Sequence, residues 1–563
     1  MGLISRKSGS EKKVHAFSSS DSSSPTPGRP AETMELDDMK DPKTRLKRGL
    51  KSRQITMIAI GGAIGTGLII GTGAALAKAG PASILIAYTI VGFVVYMVMC
   101  ALGEMAAWLP LESGFTGAGD GPGDLITTPN QLTAGALVIQ YWVDRDRVNP
   151  GVFIAVFLVA IVLINFLGIR FFGEFEFWLS SIKVLTIVGL LLLSLILMLG
   201  GGPDHDRKGF RYWNDPGAFK PLYKKGSAGN FIGLWSTMVT AVFAYLGTEL
   251  VGVTVGEAQN PRKVIPRAIK LTFWRIVVFY VLSVLLIGTL VPYNSPRLSF
   301  ANKQSTGASA SPFVVAIASS GIKALPGFVI SNACILIFVF SASNSDLYIG
   351  TRTLYGIAKE GKAHRIFART NRRGLPMYSL GLCSLIACIA FLNVSDDSRK
   401  VFGYFVNLVT IFGLLTWISI LVTHIYFVKA RRAQGITKDQ MAYTAPFGLY
   451  GTYFALVFCI LIAIFKNFDA FVHVSTRDPP GFDYKNFITG YLGIPLYLFM
   501  IFGWKFRMKT KTWGPLEADF YTGKDVIDAE EEEFLANKDR EMDEKGGKGK
   551  GGSFYRKFVA WLF

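Results

Sequence analysis

Residues 55–77 form an apolar run long enough to cross a bilayer, yet glycine occupies positions 61, 62, 65, 67, 71 and 73 of it. A membrane-crossing helix needs about 20 apolar residues at about 1.5 Å rise each, and helix formers normally fill it. Glycine lets a helix break and lets another group approach the backbone closely. In hydrocarbon a broken backbone is tolerated only where it faces protein or a polar cavity. The run therefore predicts a first span that unwinds at mid-depth around a small-molecule site.

The rest of the chain supports a membrane setting. Half of its 563 residues are hydrophobic and the mean hydropathy is +0.36, above the usual range of soluble domains. The net charge of +19 gathers in tails and short loops between apolar blocks rather than in one patch. That distribution orients membrane spans and argues against a nucleic-acid partner. Cys100, Cys334, Cys383, Cys388 and Cys459 all lie inside apolar blocks, which suits small buried residues and neither disulfides nor zinc. The first 50 residues are polar and Ser-rich, so no cleavable leader is expected and the first span directs insertion.

Three regions follow. Residues 1–54, with a serine cluster, prolines and a basic stretch, read as a disordered cytoplasmic tail. Residues 55–504 hold apolar blocks at 55–78, 81–107, 152–169, 177–199, 231–255, 273–292, 327–349, 377–393, 402–428, 446–465 and 486–504, with a weaker one at 125–143. Residues 505–563 form a charged C-terminal tail whose last ten positions could lie on a membrane surface.

Lys and Arg are concentrated before residue 54 and at 262–275, 352–373, 429–438 and 505–511, which places those segments in the cytoplasm. Only even numbers of crossings can separate them, so the weak block 125–143 must also cross. The count becomes about twelve, with both termini inside. The basic segment 203–229 would then be external, against the charge rule, although longer loops translocate with less regard to charge.

A second interrupted span runs through Phe243-Ala244-Tyr245-Leu246-Gly247-Thr248-Glu249, followed by Gly252, Gly256 and Glu257. An ionisable residue at mid-bilayer costs about 2.5–3.5 kcal/mol on insertion scales, so Glu249 is a candidate for a functional or bracing role. Glu257 has a simpler reading as an ion-paired residue beside Arg262 and Lys263. Interrupted spans five apart fit two inverted repeats of five helices, each opening with a broken helix. Half-helix N-termini offer unpaired N–H groups to an anion, and unwound carbonyls face a cation. An α-amino acid satisfies both ends, whereas a small anion or a metal cation satisfies one.

Residues 61–73, Gly103-Glu104-Met105, Gly247-Thr248-Glu249, Gly256-Glu257-Ala258-Gln259-Asn260-Pro261-Arg262-Lys263, residues 341–345 and Thr351-Arg352-Thr353-Leu354-Tyr355-Gly356 together resemble the fungal amino-acid permeases. These belong to the amino acid–polyamine–organocation superfamily, and the resemblance covers about residues 45–520. It implies an all-α integral membrane protein with the five-plus-five inverted repeat, importing amino acids across the plasma membrane by proton symport, without a cofactor and without enzymatic activity. Mapped by motif, the backbone at Ala63, Ile64, Gly65, Thr66 and Gly67 holds the substrate carboxylate and part of its amine. The carbonyls of Phe243, Ala244 and Leu246, beside Gly247, receive the ammonium, and the Phe243 ring caps the site. Similarity in 151–180 and 200–213 leans toward the dicarboxylic branch.

Lys183 lies seven residues after Glu176 on nearly the same helix face. The bland reading is a snorkelling lysine. The functional one places its amine where sodium-coupled relatives hold sodium, and makes Lys183 and Glu249 the proton-coupling pair. His424 reads as a hydrogen-bonded packing residue, and Trp108, Trp142, Trp178 and Trp504 as interfacial anchors. Lysines and serines of the N-terminal tail offer acceptors for ubiquitin-ligase machinery and phosphate.

The chain departs from the family pattern once. Roughly the first half of the third span is missing, a Gly/Asp-rich segment at 117–124 stands there, and family pattern resumes at Thr128-Pro129-Asn130-Gln131. A shortened third span barely crosses the hydrocarbon, so an inactive truncated permease is an alternative. A non-transporting amino-acid sensor is another, and a cation–chloride cotransporter shares the fold. No nucleophile–base constellation or phosphate loop supports an enzyme or an ATP-driven pump.

Overall fold

The structure, a computed structural model, describes residues 54, 57, 64–109, 121–140, 142–143, 145–249, 261–296, 298, 311–322, 325–359, 361–371, 374–394, 398–472, 482–510, 513–521 and scattered positions from 524 to 540. The chain divides into units 1–42 and 43–563, and every described residue belongs to the second. The expected N-terminal tail and the final ten residues lie outside the described residues.

All the regular structure described is helical. We number the principal helices α1 (Gly67–Ala79), α2 (Pro81–Trp108), α3 (Gly121–Ile139), α4 (Pro150–Leu167), α5 (Ile169–Met198), α6 (Gly226–Tyr245), α7 (Val264–Leu290), α8 (Leu325–Lys359), α9 (Met377–Leu392), α10 (Ser398–Ala433), α11 (Gly448–Phe465) and α12 (Tyr484–Met508). Eight stretches among them are long and apolar enough to cross a membrane. Sequence sets their starts: Pro150 takes the first position of α4, where its missing N–H costs nothing, and Asn149 accepts from the Gly151 amide at 2.8 Å.

Side chains pointing outward are apolar, and those inside are mixed. Val159, Leu185 and Phe499 are 68, 73 and 74% exposed, an arrangement suited to lipid rather than water. Leu68, Tyr88, Val91, Ala241 and Phe412 fill the central core. Beside them, wholly buried, are Thr128, Asn130, Gln131, Glu176, Lys183, Ser341 and Asn344. The helix pairs that build the site are α1 on α6, and α3 between α8 and α10.

The third span differs from expectation at its start. Helix α3 begins at Gly121, so four residues of the Gly/Asp-rich segment join it, and Pro129 sits inside the helix. It is 19 residues long, against 28 for α2 and 18 for α4.

Two sequence readings need correction. Trp108 is buried, and its Nε1 donates to the Phe520 carbonyl at 3.0 Å, so it packs under the C-terminal segment instead of facing lipid headgroups. Arg275, taken as the end of a cytoplasmic charge cluster, is buried within α7 and donates to Thr248 Oγ1 at 2.9 Å. Three cations of segment 203–229 have local partners. Lys208 bonds Asp204 at 2.7 Å, Arg211 bonds Asp206 at 2.7 Å, and Lys220 donates to the Ala77 carbonyl at 2.7 Å.

Candidate functional site

The first span is discontinuous where the glycines fall. Ile64 and Gly65 are non-helical, helix resumes at Thr66, and its first turns, Gly67–Gly71, are π-helical. Ala63 lies outside the described residues. Helix α6 stops with the Leu246 amide bonded to the Val242 carbonyl; Leu246 turns to ψ 148° and Gly247 adopts φ 86°. That positive φ suits glycine, and it ends the helix in the left-handed region. The Thr248 amide reaches back to Tyr245 at 3.3 Å instead of continuing the α-pattern to Ala244.

The two interruptions touch through their backbones. A Cβ on Gly67 would lie 2.4 Å from the Ala244 Cα, 2.8 Å from its nitrogen and 3.0 Å from the Phe243 carbonyl oxygen. Only glycine permits that approach. Thr66, Gly67, Phe243 and Ala244 are buried, and the Phe243 ring meets Phe402 of α10 edge-on at 6.1 Å. Sequence reasoning named this constellation, with Ile64, Gly65, Leu246 and Gly247 at its edges.

Glu249 belongs to the unwound turn. The backbone N–H groups of Gly247 and of Glu249 itself hydrogen-bond its carboxylate, and Trp417 Nε1 donates to Oε2 at 3.3 Å. The side chain thus caps amides that the break of α6 exposes.

A second group of buried polar side chains lies on α5 and α8. Lys183 and Glu176 are both fully buried, with Nζ 3.6 Å from Oε1. Glu176 also accepts from Ser341, from Ser180 at 3.3 Å and from Asn344 at 3.4 Å. Asn344 in turn accepts from Asn165 at 3.1 Å, so α4, α5 and α8 are pinned together.

Thr66 donates to Gln131 Oε1 at 3.0 Å, and Gln131 hydrogen-bonds Asp346 on α8. Lys183, Glu249 and Glu176 act on Asp346 through space. Sequence reading missed Asp346 and Gln131. A signal existed for the first: an acid inside an apolar span just after the 341–345 motif. Among the described residues no cluster of His, Cys, Asp or Glu has an arrangement that could hold a metal ion.

A bundle of apolar helices in which α1 starts against the end of α6, with polar groups buried inside, suits a multi-span membrane protein. The profile of the amino acid permease family matches residues 54–118 and 123–513. The chain belongs to the amino acid permease family. It is 52% identical to the dicarboxylic amino acid permease of Saccharomyces cerevisiae over 97% of this chain and 91% of that one. An uncharacterised amino-acid permease of Schizosaccharomyces pombe is 43% identical over 84% of this chain and 92% of its own. The general amino-acid permease of Saccharomyces cerevisiae is 38% identical over 88 and 85%. These relatives carry the names of transporters.

Proposed function

We propose that this chain imports amino acids across the plasma membrane by proton symport, with dicarboxylic amino acids as its preferred substrates. The observation that carries the reading is the backbone contact of Gly67 with Phe243 and Ala244, which brings the start of α1, just after the non-helical Ile64 and Gly65, against the end of α6, just before its turn at Leu246–Gly247. The N–H groups that open α1, from Thr66 and Gly67 onward, suit the substrate carboxylate, together with the peptide groups of Ala63, Ile64 and Gly65. The carbonyls of Phe243, Ala244 and Leu246, with Gly247 supplying the turn, suit its ammonium. The Phe243 ring, backed by Phe402, closes the site.

Proton coupling is assigned to Lys183 and Glu249. Lys183 supplies a buried cation on the fifth span, paired with Glu176, and Glu249, at the turn that ends α6, accepts from Trp417. Name and identity of the dicarboxylic relative support the substrate class. Segments 1–54 and 505–563 are the cytoplasmic tails of a 55–504 transport domain, open to ubiquitin-ligase machinery.

A second reading, an inactive shortened permease, is favoured by the 19-residue α3 and by the gap between residues 118 and 123 in the family match. A sensor that binds without transport is the third. One experiment separates them: uptake of labelled glutamate, aspartate and a neutral amino acid in permease-deficient cells, with and without a protonophore. The chain is compared with a version whose third span is restored. Protonophore-sensitive uptake of the acidic substrates by this chain supports the proposal. Uptake by the restored version alone supports the shortened-permease reading. Binding without accumulation in either supports the sensor.

A further inference from the structure

Three buried carboxyl groups surround the two breaks, and they are not equally provided for. Glu176 has Ser341, Ser180, Asn344 and the Lys183 ammonium around it. Glu249 has two backbone amides and the Trp417 indole. Asp346, 9% exposed, has the Gln131 amide, while its Oδ2 has no hydrogen-bond partner. A buried carboxylate with so few donors is costly as an anion and far less so as a neutral acid. Of the three, Asp346 is the group whose surroundings leave a place for a proton.

Its position ties that proton to the substrate site. The Gln131 amide uses one end on each side: Oε1 accepts from Thr66, at the restart of α1, and Nε2 donates to Asp346. Gly65, at the break, is also adjacent: a Cβ there would lie 3.8 Å from Gln131 Nε2 and from Ala342 on α8. Whatever rearranges Thr66 on substrate binding rearranges the donor to Asp346. The charged groups acting on Asp346 are Lys183 and Glu176 from α5 and Glu249 from the α6 turn. Lys183 is the cation among them, so its charge bears on whether the aspartate holds a proton.

We propose that Asp346 is the proton-binding site of the transport cycle, acting with Lys183 and linked to the substrate through Gln131; this rests on the proton-symport reading above. In the outward-facing state one proton from the medium binds the Asp346 carboxylate at Oδ2, giving the neutral acid while Lys183 stays an ammonium. The neutral acid removes a negative charge from beside the break as an acidic amino acid enters. On the cytoplasmic side the substrate leaves, the O–H bond breaks, and the proton departs to water, restoring the carboxylate.

The test uses the full chain in proteoliposomes at zero membrane potential, with labelled glutamate. With one proton per substrate, an inward gradient of one pH unit supports about tenfold accumulation. Asp346→Asn mimics the permanently neutral acid. It is expected to abolish accumulation and flatten the pH dependence of KM, while glutamate–glutamate exchange persists. Asp346→Glu is expected to restore accumulation in part. Gradient-driven accumulation by Asp346→Asn at the wild-type level overturns the inference, as does loss of exchange along with accumulation, which would make Asp346 part of the substrate site or of the fold. If the Asn variant fails to reach the membrane, Gln131→Leu takes its place: removing the donor to the anion should move the pH midpoint of KM upward, and an unmoved midpoint overturns the inference. If the wild-type chain itself exchanges glutamate without any response to the pH gradient, the symport reading fails instead.

Discussion

Glu104 and Asp346 are both carboxyl groups buried in a helix bundle, and they are treated in opposite ways. Glu104, on α2, accepts from Arg431 Nη1 at 2.9 Å, from the Ala445 amide at 2.8 Å and meets His424 Nε2 at 3.3 Å. His424 is itself fixed by Thr452 at 2.9 Å. That cluster joins α2, the end of α10 and the start of α11 with its carboxylate surrounded by donors. Asp346, by contrast, has its Oδ2 buried without a hydrogen-bond partner, as is the hydroxyl of the adjacent Ser345. The Glu104 carboxylate, with donors on both oxygens, has one stable arrangement and acts as a joint, although Arg431 Nε beside it is buried without a partner. An unsaturated cluster keeps groups whose partners can change during a cycle.

The largest expected effect breaks the saturated side. Glu104→Ala leaves Arg431 buried and uncompensated, which costs about 3–5 kcal/mol. Thermal unfolding of the detergent-solubilised protein should show a strongly lowered midpoint and little protein at the cell surface; a midpoint near wild type would contradict the assignment of Glu104 as a joint. Next comes Lys183→Met, expected to abolish uptake while surface expression stays intact. Normal uptake in that variant removes Lys183 from the coupling machinery.

Gly67→Ala should cost about 1–3 kcal/mol through overpacking, because its Cβ meets the Ala244 backbone at 2.4 Å. Labelled-glutamate uptake should fall with it, and unchanged uptake would show that α1 and α6 need not touch. A smaller effect is expected for Trp417→Phe, which removes one donor from Glu249 and costs about 1 kcal/mol. Its thermal midpoint should drop slightly and its substrate KM should rise.

The smallest concerns the loop that follows α5. Lys208, donating to Asp204, holds that carboxyl below the usual carboxylate range. A depressed folded value means that the contribution of the pair is present at neutral pH and lost only as the pH falls through that depressed value. Asp204→Asn should therefore lower the melting midpoint slightly and by the same amount at pH 7 and pH 5; a difference that vanishes at pH 5 would contradict the pairing.

Sequence made some of this legible and hid the rest for physical reasons. Glycine spacing located the break at Ile64–Gly65, and Gly247 located the end of α6, because few residues other than glycine tolerate such backbone. The seven-residue step from Glu176 to Lys183 put both on one face of α5. Arg275 was misplaced because charge density was read as a loop, although a buried guanidinium needs a partner such as Thr248, which is 27 positions away in the chain. Trp108 was misread for the same reason, its partner Phe520 lying 412 positions away. Asp346 was overlooked because its meaning comes from Gln131 on another helix, a pairing that no local pattern records.

The most direct test is a cryo-electron-microscopy map of the full chain in lipid nanodiscs with saturating aspartate. The account predicts a ligand between residues 64–67 and 243–247, its carboxylate at the amides opening α1 and its ammonium at the carbonyls ending α6. Aspartate bound elsewhere, or either helix running unbroken past its glycines with ligand present, would contradict it.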